Sequence, residues 1–242
     1  MRMKEKGKMK SEKVRTSLLF TFSLLLFTFL AGAADLPAGY TAVEYIESTA
    51  GGGQYINTGY TPRKDTKVVC RLLDKGTDTT KDYGALFGSR FGYLQDRGMF
   101  LWLRYWGKNA PSYGRAGGES SLDEPDFPFG EISTVTCQGA TCSWITDAGE
   151  HPNGITLANC IAGQENGFAP MLIFAINSPS AEGGLNPTDH LGFRLYSFRI
   201  FEGYDLKRDF VPCVSATEGA GLWDCVEGKF YPNKGGTAFN TP

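Results

Sequence analysis

The sequence predicts an all-β fold on three observations, and the 209 residues after residue 33 suit one β-sandwich. Helical periodicity is nearly absent after residue 33. Apolar residues instead occur in short runs, and clusters of Gly, Asn, Asp and Pro separate these runs. In LYSFRIF, at residues 195–201, apolar and polar side chains alternate, which is typical of a strand with one buried face. Short strands joined by turns therefore make up the domain.

About a dozen segments of the usual strand length show this pattern. In chain order they are residues 42–47, 54–59, 66–73, 84–90, 98–106, 132–137, 142–146, 155–162, 170–177, 192–201, 205–213, 221–226 and 229–233. Residues 108–130 are rich in Gly, Pro, Ser and acidic side chains, and they are predicted to form a long irregular loop. No repeat or linker divides the chain, so residues 34–242 are predicted to be one domain.

Residues 1–33 match a secretory signal peptide. A basic segment precedes an uncharged run of 14 apolar or hydroxyl residues, 17–30, and the small residues Ala31, Gly32 and Ala33 follow. Since crossing a bilayer takes about 20 residues, the run is too short for an ordinary transmembrane helix. We expect cleavage after Ala33 and a secreted, periplasmic or extracellular protein without membrane insertion. An uncleaved N-terminal anchor is the alternative.

The charge balance argues against nucleic-acid binding. Without residues 1–33, the chain has 17 Lys and Arg against 24 Asp and Glu, a formal charge of −7 rather than −2. Proteins that bind nucleic acids or anionic lipids use basic surfaces. No nucleic-acid partner is therefore predicted.

Six cysteines in an exported chain permit disulfides. In TVTCQGATC, a two-residue turn at residues 139–140 would place Cys137 opposite Cys142, with Cα atoms at about 4.5 Å, inside the range that a disulfide spans. Two free buried thiols are the alternative. Cys213 and Cys225 flank a second apparent hairpin and are the second candidate pair.

The strand GMFLWLRYW, residues 98–106, is the best candidate for ligand binding. In an extended strand two sets of side chains point to opposite faces: Phe100, Trp102, Arg104 and Trp106 to one, and Leu101, Leu103 and Tyr105 to the other. The two leucines indicate that the second face is the core face. Indole rings can stack on a sugar, and neighbouring polar side chains can bind its hydroxyl groups. Aromatic packing within the sandwich is the alternative. The candidate ligand-binding residues are Trp102, Arg104, Trp106, Asn109 and Tyr113.

Catalytic and metal signatures are sparse. The acidic segment LDEPDF offers Asp123 and Asp126 as candidate ligands for Ca²⁺, which prefers oxygen; a solvated acidic loop is the alternative. No other cofactor is predicted. Glycoside hydrolases of sandwich folds need two carboxylates aimed into one cleft, and the prolines in this segment disfavour a central strand. His151 and His190 lie in turn-like segments without metal-ligand spacing.

Segments near both ends of the domain resemble a module of secreted and phage-associated bacterial proteins, the concanavalin A-like, laminin-G-like jelly roll. The similar segments are LPAGYT (residues 36–41), EYIES (44–48), QYINTGY (54–60), LYSFRI (195–200), RDFVPC (208–213) and GLWDC…GKFY (221–231). The resemblance implies a two-sheet antiparallel jelly roll with an extracellular recognition role, and it carries over no catalytic residue. A departure is Cys225, where the pattern usually has no cysteine.

These observations predict an exported, non-catalytic recognition module that binds carbohydrate or mediates adhesion at the cell surface. Its expected partner is a glycan or a cell-surface polysaccharide. Two alternatives stay open: a structural or protein-binding surface domain, and a glycoside hydrolase-like enzyme.

Overall fold

The computed structural model of the chain describes residues 36–77, 82–91, 98–115, 118–121, 127–150, 153–157 and 166–242. The predicted signal peptide lies outside the described residues. Across the described residues, no helix has the length and apolarity that crossing a membrane requires.

The described residues form eighteen strands and no helix. In chain order they are β1 (Tyr40–Ala42), β2 (Ile46–Glu47), β3 (Ile56–Asn57), β4 (Thr66–Leu73), β5 (Gly84–Arg90), β6 (Gly98–Arg104), β7 (Ser112–Arg115), β8 (Gly118–Ser121), β9 (Ser133–Gln138), β10 (Thr141–Thr146), β11 (Asn153–Thr156), β12 (Leu172–Ile173), β13 (Ile176–Asn177), β14 (Pro187–Thr188), β15 (Arg194–Glu202), β16 (Asp205–Ser215), β17 (Gly219–Asp224) and β18 (Lys229–Pro232).

The strands form two sheets. The ten-stranded sheet has the order β11-β10-β9-β4-β15-β16-β17-β18, with β1 added to β16 and β2 to β15. The eight-stranded sheet has the order β14-β13-β5-β6-β7-β8, with β12 joining β3 to β5. The predicted all-β, two-sheet sandwich is confirmed. Among the strands of the described residues, every pairing is antiparallel except that of β13 with β5.

The main hydrophobic core lies between the two sheets, because alternate residues of strands from both sheets meet in it. From the ten-stranded sheet come Val68, Cys70 and Leu72 of β4, and from the eight-stranded sheet come Leu101 and Leu103 of β6. All five are fully buried. Period-two alternation thus places every second residue of β4 and β6 in the core.

Two strand predictions differ from the structure in informative ways. Residues 66–73 and 84–90 have the predicted bounds, but the segment 170–177 is broken into two short strands because Phe174 has a φ of 70°. The predicted irregular segment 108–130 instead contains β7 and β8. The glycines of this segment had indicated a loop. Gly114 lies in a strand because the Phe100 ring packs against it, and a Cβ there would lie 1.9 Å from the ring.

The Cys137–Cys142 disulfide is confirmed, and it joins β9 to β10 in the predicted register, across the turn that contains Gly139. The Cys213–Cys225 pairing was wrong, because both cysteines are free. In the β16–β17 ladder, Cys213 lies opposite Gly221, whereas the amide of Cys225 binds the carbonyl of Asp209, farther along β16. Burial and the neighbouring Cys225 thiol raise the pKa of Cys213 to about 12, against a backbone hydrogen bond from Trp223 that lowers it.

The first strands of the domain contact its last residues. The amide of Glu47 donates to the carbonyl of Asn240 at 2.8 Å, and the amide of Asn240 donates back at 2.9 Å. The buried Gln54 donates through Nε2 to Thr237 Oγ1 at 2.9 Å and to the carbonyl of Ala238 at 3.1 Å. These hydrogen bonds hold the first strands of the domain against its last residues.

An ion network around the buried Asp224 joins the last three strands of the ten-stranded sheet. Arg208 of β16 lies 3.4 Å from Asp224 Oδ2 of β17 and 2.6 Å from Glu227 Oε1. The hydroxyl of Tyr231, on β18, donates to the other oxygen of Glu227. Burial and this hydrogen bond raise the pKa of Tyr231. The Asp224 side chain is fully buried, so Arg208 provides the counter-charge that its carboxylate needs.

Candidate ligand-binding site

Strand β6 presents two apolar faces. Leu101 and Leu103 face the main core, and Phe100 and Trp102 lie on the opposite, outer face of the eight-stranded sheet. There, Trp102 forms a small second cluster with Phe100, Ala85 and Ile176. The face assignment follows the alternation seen in the sequence.

Trp102 is buried although it lies on the outer face, with only 2% of its surface exposed. Tyr83 and Tyr105 cover it, with ring centroids 5.6 and 5.4 Å from the Trp102 ring. The Arg90 guanidinium lies 4.9 Å from the same ring centroid, within cation–π distance. Trp102 is therefore the floor of the outer-face cluster rather than a surface that a ligand reaches directly.

Trp106 occupies a two-residue turn beyond the end of β6. The amide of Tyr105 donates to the carbonyl of Lys108 at 3.0 Å, and the reverse bond is 3.1 Å. Trp106 and Gly107 both have positive φ, 51° and 72°, which is the signature of a type I′ turn. The strand prediction was thus two residues too long at this end. The turn exposes 68% of Trp106 to solvent.

The position of Trp106 is conformationally unfavourable. Type I′ turns prefer Asn, Asp or Gly at both central positions, since these residues tolerate positive φ. A non-glycine residue in the left-handed region costs about 1–2 kcal/mol. A Trp in this position combines strain with exposure, and strained residues concentrate at binding sites.

Arg104 and Asn109 hold the turn in place. Arg104 is 7% exposed and donates to Asn109 Oδ1 at 3.1 Å and to the carbonyl of Gly107 at 2.6 Å. Asn109 Nδ2 donates to the carbonyl of Gly76 at 2.6 Å. The prediction that Arg104 contacts a ligand is corrected, because this side chain is buried and its hydrogen bonds fix the backbone beside Trp106. For the half-buried Asn109, contact with a ligand stays a prediction.

Tyr113 was also assigned wrongly. It pairs with Leu101 across β6 and β7 and therefore faces the main core, where it is fully buried. Its hydroxyl donates to the carbonyl of Gly139 at 2.8 Å. A ligand on the outer face cannot reach it.

Three aromatic side chains form a continuous surface around the turn, here called the aromatic platform: Tyr83, Tyr105 and Trp106. The Tyr83 and Trp106 ring centroids are 5.5 Å apart, and those of Tyr105 and Trp106 are 6.2 Å apart. Tyr83 and Tyr105 are half-buried, which leaves Trp106 as the most exposed ring. Such a surface can stack on an apolar ring face of a ligand.

The sequence interpretation missed Tyr83 and Tyr105. Tyr105 was assigned to the core face because the strand was taken to continue through Trp106. The Trp-Gly pair between two strands was the available signal, because a glycine at the second position of a two-residue loop favours a hairpin turn.

The predicted calcium ligands Asp123 and Asp126 lie outside the described residues, so calcium binding stays a prediction. Within the part of the chain that the structure describes, no group of three or more His, Cys, Asp or Glu side chains is placed to hold a metal ion.

Comparisons with solved structures concern the fold. A candidate carbohydrate-binding protein from Bacteroides ovatus ATCC 8483 is 10% identical with a TM-score of 0.51, covering 83% of this chain and 60% of that chain. Mouse laminin α1 domains LG4-5 are 12% identical with a TM-score of 0.46, covering 69% and 44%. The enzymatically active domain of bacteriophage CBA120 tailspike protein 2 is 10% identical with a TM-score of 0.40, covering 64% and 24%.

The chain spans less than two thirds of the length of each of these structures. No protein-family model matches it, and no curated protein does. The resemblance that the sequence motifs predicted is confirmed for the fold. At such low identity, a shared fold does not establish a shared ligand.

Proposed function

We propose that this chain is an exported, non-catalytic module that binds glycans, with a sugar ring stacked on the aromatic platform. The observation that carries the proposal is Trp106, which is exposed and strained at the tip of a turn that other side chains hold rigidly. A ligand that stacks on this ring would explain why the position is not occupied by a residue that the turn prefers.

The chemistry of the platform suits a carbohydrate. The C–H face of a sugar ring is apolar and packs on aromatic side chains, while its hydroxyl groups bind nearby polar groups. The exposed Asp82 and Lys108 flank the platform and supply an acceptor and a donor. Because the turn is fixed before binding, little conformational entropy is lost. The fold is also that of a candidate carbohydrate-binding protein, which agrees with the proposal.

Export is the second part of the proposal, supported by the signal-peptide pattern of residues 1–33 and by the Cys137–Cys142 disulfide. N-terminal sequencing of the secreted protein should give Ala34 as the first residue, followed by Asp-Leu-Pro. Recovery of intact Met1 in the membrane fraction would contradict this part.

A glycan array tests the binding function. We expect saturable binding of the wild-type protein to a subset of glycans, with the bound oligosaccharides recovered at their original length. Trp106→Ala removes the stacking surface and should weaken binding about tenfold or more, whereas Trp106→Phe keeps a ring and should retain most of the affinity.

Two results would contradict the proposal. Wild-type protein without saturable binding to any glycan would favour the structural or protein-binding alternative. Equal affinity of the wild-type protein and Trp106→Ala would remove the platform as the site. Shortened oligosaccharides would instead show an enzyme.

A further inference from the structure

A cavity of about 530 Å³ opens beside the aromatic platform. It lies between the end of β5 and the segment that joins β13 to β14, and Arg90, Ser178, Asn186, Thr188 and Asp189 contribute its polar lining. Its size is within the usual range for small-molecule sites, about 300–1,000 Å³. We call it the Asp189 cavity.

The Asp189 cavity and the platform share a wall. Trp102 Nε1, beneath the platform, donates to Asp189 Oδ2 at 3.2 Å. Arg90 lines the cavity and lies over the Trp102 ring, while Tyr83 packs on that ring from the platform side. The platform and the cavity are therefore connected through one indole ring.

Thr188 has an unusual hydroxyl group. Its Oγ1 is buried and has no hydrogen-bond partner within the described part of the chain. Buried polar atoms without a partner are rare and costly. Two other buried side-chain atoms lack a hydrogen-bond partner within the described residues, Ser89 Oγ and Asp224 Oδ2. Neither lines this cavity: Ser89 is fully buried, and Asp224 Oδ2 lies 3.4 Å from Arg208 Nε. Thr188 lines a cavity, where rotation about χ1 would present its hydroxyl to a ligand.

Asp189, the next residue, has an unusual backbone. Its φ is 55°, in the left-handed region that non-glycine residues seldom adopt. Its carbonyl accepts a hydrogen bond from the amide of Ala85 at 2.7 Å, which fixes this conformation against β5. An unsatisfied hydroxyl and a strained backbone thus occur at consecutive residues on one cavity wall, and both features are typical of ligand sites.

The polar groups of the cavity favour a neutral ligand with hydroxyl groups. Arg90 and Asp189 form an ion pair at 3.4 Å, so the lining has both a cation and an anion. A carboxylate ligand would meet the carboxylate of Asp189, and an ammonium ligand would meet Arg90. A hydroxyl group both donates and accepts, so it can donate to Asp189 and accept from Arg90.

The cavity is preformed. The fully buried Asn177 donates through Nδ2 to the carbonyls of Pro170 and Gly184, at 2.9 and 3.0 Å. Its Oδ1 accepts from the amide of Asn186 at 2.8 Å. One side chain thus fixes three points around the segment that forms the cavity wall.

We propose that the Asp189 cavity is a second sugar-binding subsite, which takes a neutral residue of the same glycan whose neighbouring residue stacks on the platform. The inference rests on the proposed function and deepens it. It assigns the ligand class as a neutral oligosaccharide rather than a monosaccharide or a polyuronate. Arg90 and Asp189 bind its hydroxyl groups, and Thr188 gains the partner that it lacks.

The test uses an array of neutral gluco-, galacto-, manno- and xylo-oligosaccharides, from monosaccharide to hexasaccharide, and oligouronates of matched length. Wild-type protein should prefer neutral members, and its affinity should rise about tenfold or more from the monosaccharide to the oligosaccharides. Thr188→Val removes the hydroxyl group at nearly constant shape. It should abolish this rise without lowering the melting temperature, because the hydroxyl has no partner to lose.

Asp189→Asn is the second variant, and asparagine tolerates the positive φ at this position. Its amide oxygen can still accept from Trp102 Nε1, but Arg90 loses its counter-charge. The preference should therefore shift toward oligouronates by about tenfold or more. Trp106→Ala is the control for the platform.

Each outcome is decisive. If the wild-type protein binds no glycan, the proposed function and the proposed subsite are both wrong. If Trp106→Ala abolishes binding while Thr188→Val and Asp189→Asn bind every glycan as the wild-type protein does, the platform stands and the subsite is wrong. A wild-type preference for oligouronates would overturn the neutral ligand class.

Discussion

The C-terminal strands β16–β18 and the Trp106 turn differ in side-chain burial and in backbone conformation. In the C-terminal strands, Arg208 and Asp224 form an ion pair in a buried setting, and the β16–β17 ladder is regular. In the turn, a large apolar ring is exposed on a strained backbone, although the surrounding hydrogen bonds are well made. The first arrangement stabilises the fold, and the second is the arrangement on which the proposed glycan binding depends. The recognised motifs therefore describe the scaffold, whereas the candidate site lies in the part of the chain that resembles the module least.

Two tryptophans test this distinction with the largest expected effect. Trp102→Ala should destabilise the protein by about 3–5 kcal/mol, because the ring is buried, and should also weaken glycan binding by removing the floor of the platform. Trp144, buried in the main core, is the matched control. Trp144→Ala should cost similar stability without changing the affinity of the folded protein, as measured by denaturant unfolding and glycan titration.

If Trp102→Ala leaves the melting temperature unchanged, the ring is not a buried floor. If Trp144→Ala weakens binding as much as Trp102→Ala does, the division between scaffold and site is wrong.

Arg208→Ala tests the scaffold alone. Removing the guanidinium leaves the Asp224 carboxylate buried without a counter-charge, which should cost about 3 kcal/mol. The expected cost is at the low end for such pairs because Asp224 Oδ1 still accepts from the amides of Asp209 and Val226. Affinity for glycans should not change.

Arg63→Ala is the control for Arg208, since the Arg63–Glu202 pair is largely exposed and should contribute less than about 1 kcal/mol. Equal losses of unfolding free energy for the two variants would show that the Arg208 network has no special role.

Glu47 gives a smaller, pH-dependent effect. Burial alone would raise its pKa, but hydrogen bonds from Arg194 and Lys75 outweigh burial and lower the pKa below the ordinary 4.5. The resulting stabilisation, about 0.2–1 kcal/mol, is therefore present above pH 4.5 and lost as the pH falls through the folded-state pKa. Wild-type protein should exceed Glu47→Gln in stability at about pH 7, and the difference should shrink as the pH is lowered below 4.5. A constant difference would argue against these ion pairs.

The sequence predicted the scaffold better than the site, for physical reasons. Alternation over β4 fixes which residues are buried, and the spacing of Cys137 and Cys142 around a two-residue turn fixes a disulfide. Both features depend on local geometry. The cavity depends on contacts between distant segments, since Arg90 and Asp189 meet only in the folded sheet.

Tyr113 shows a different limit. Its strand lay in a segment whose composition indicated a loop, so its face could not be assigned before its pairing with β6 was known. Arg104 was placed on the correct face, but its partner at Gly107 depends on a turn that the strand pattern concealed.

The central claim is that Trp106 serves ligand binding and lowers the stability of the turn in which it lies. The most direct measurement compares Trp106→Asn with Trp106→Ala, each by unfolding free energy and by glycan titration. Both variants should lose binding, but only asparagine suits the first position of a type I′ turn, so Trp106→Asn should be more stable than the wild-type protein by about 1 kcal/mol. Trp106→Asn that is less stable than the wild-type protein, or that binds glycans with unchanged affinity, would contradict the account.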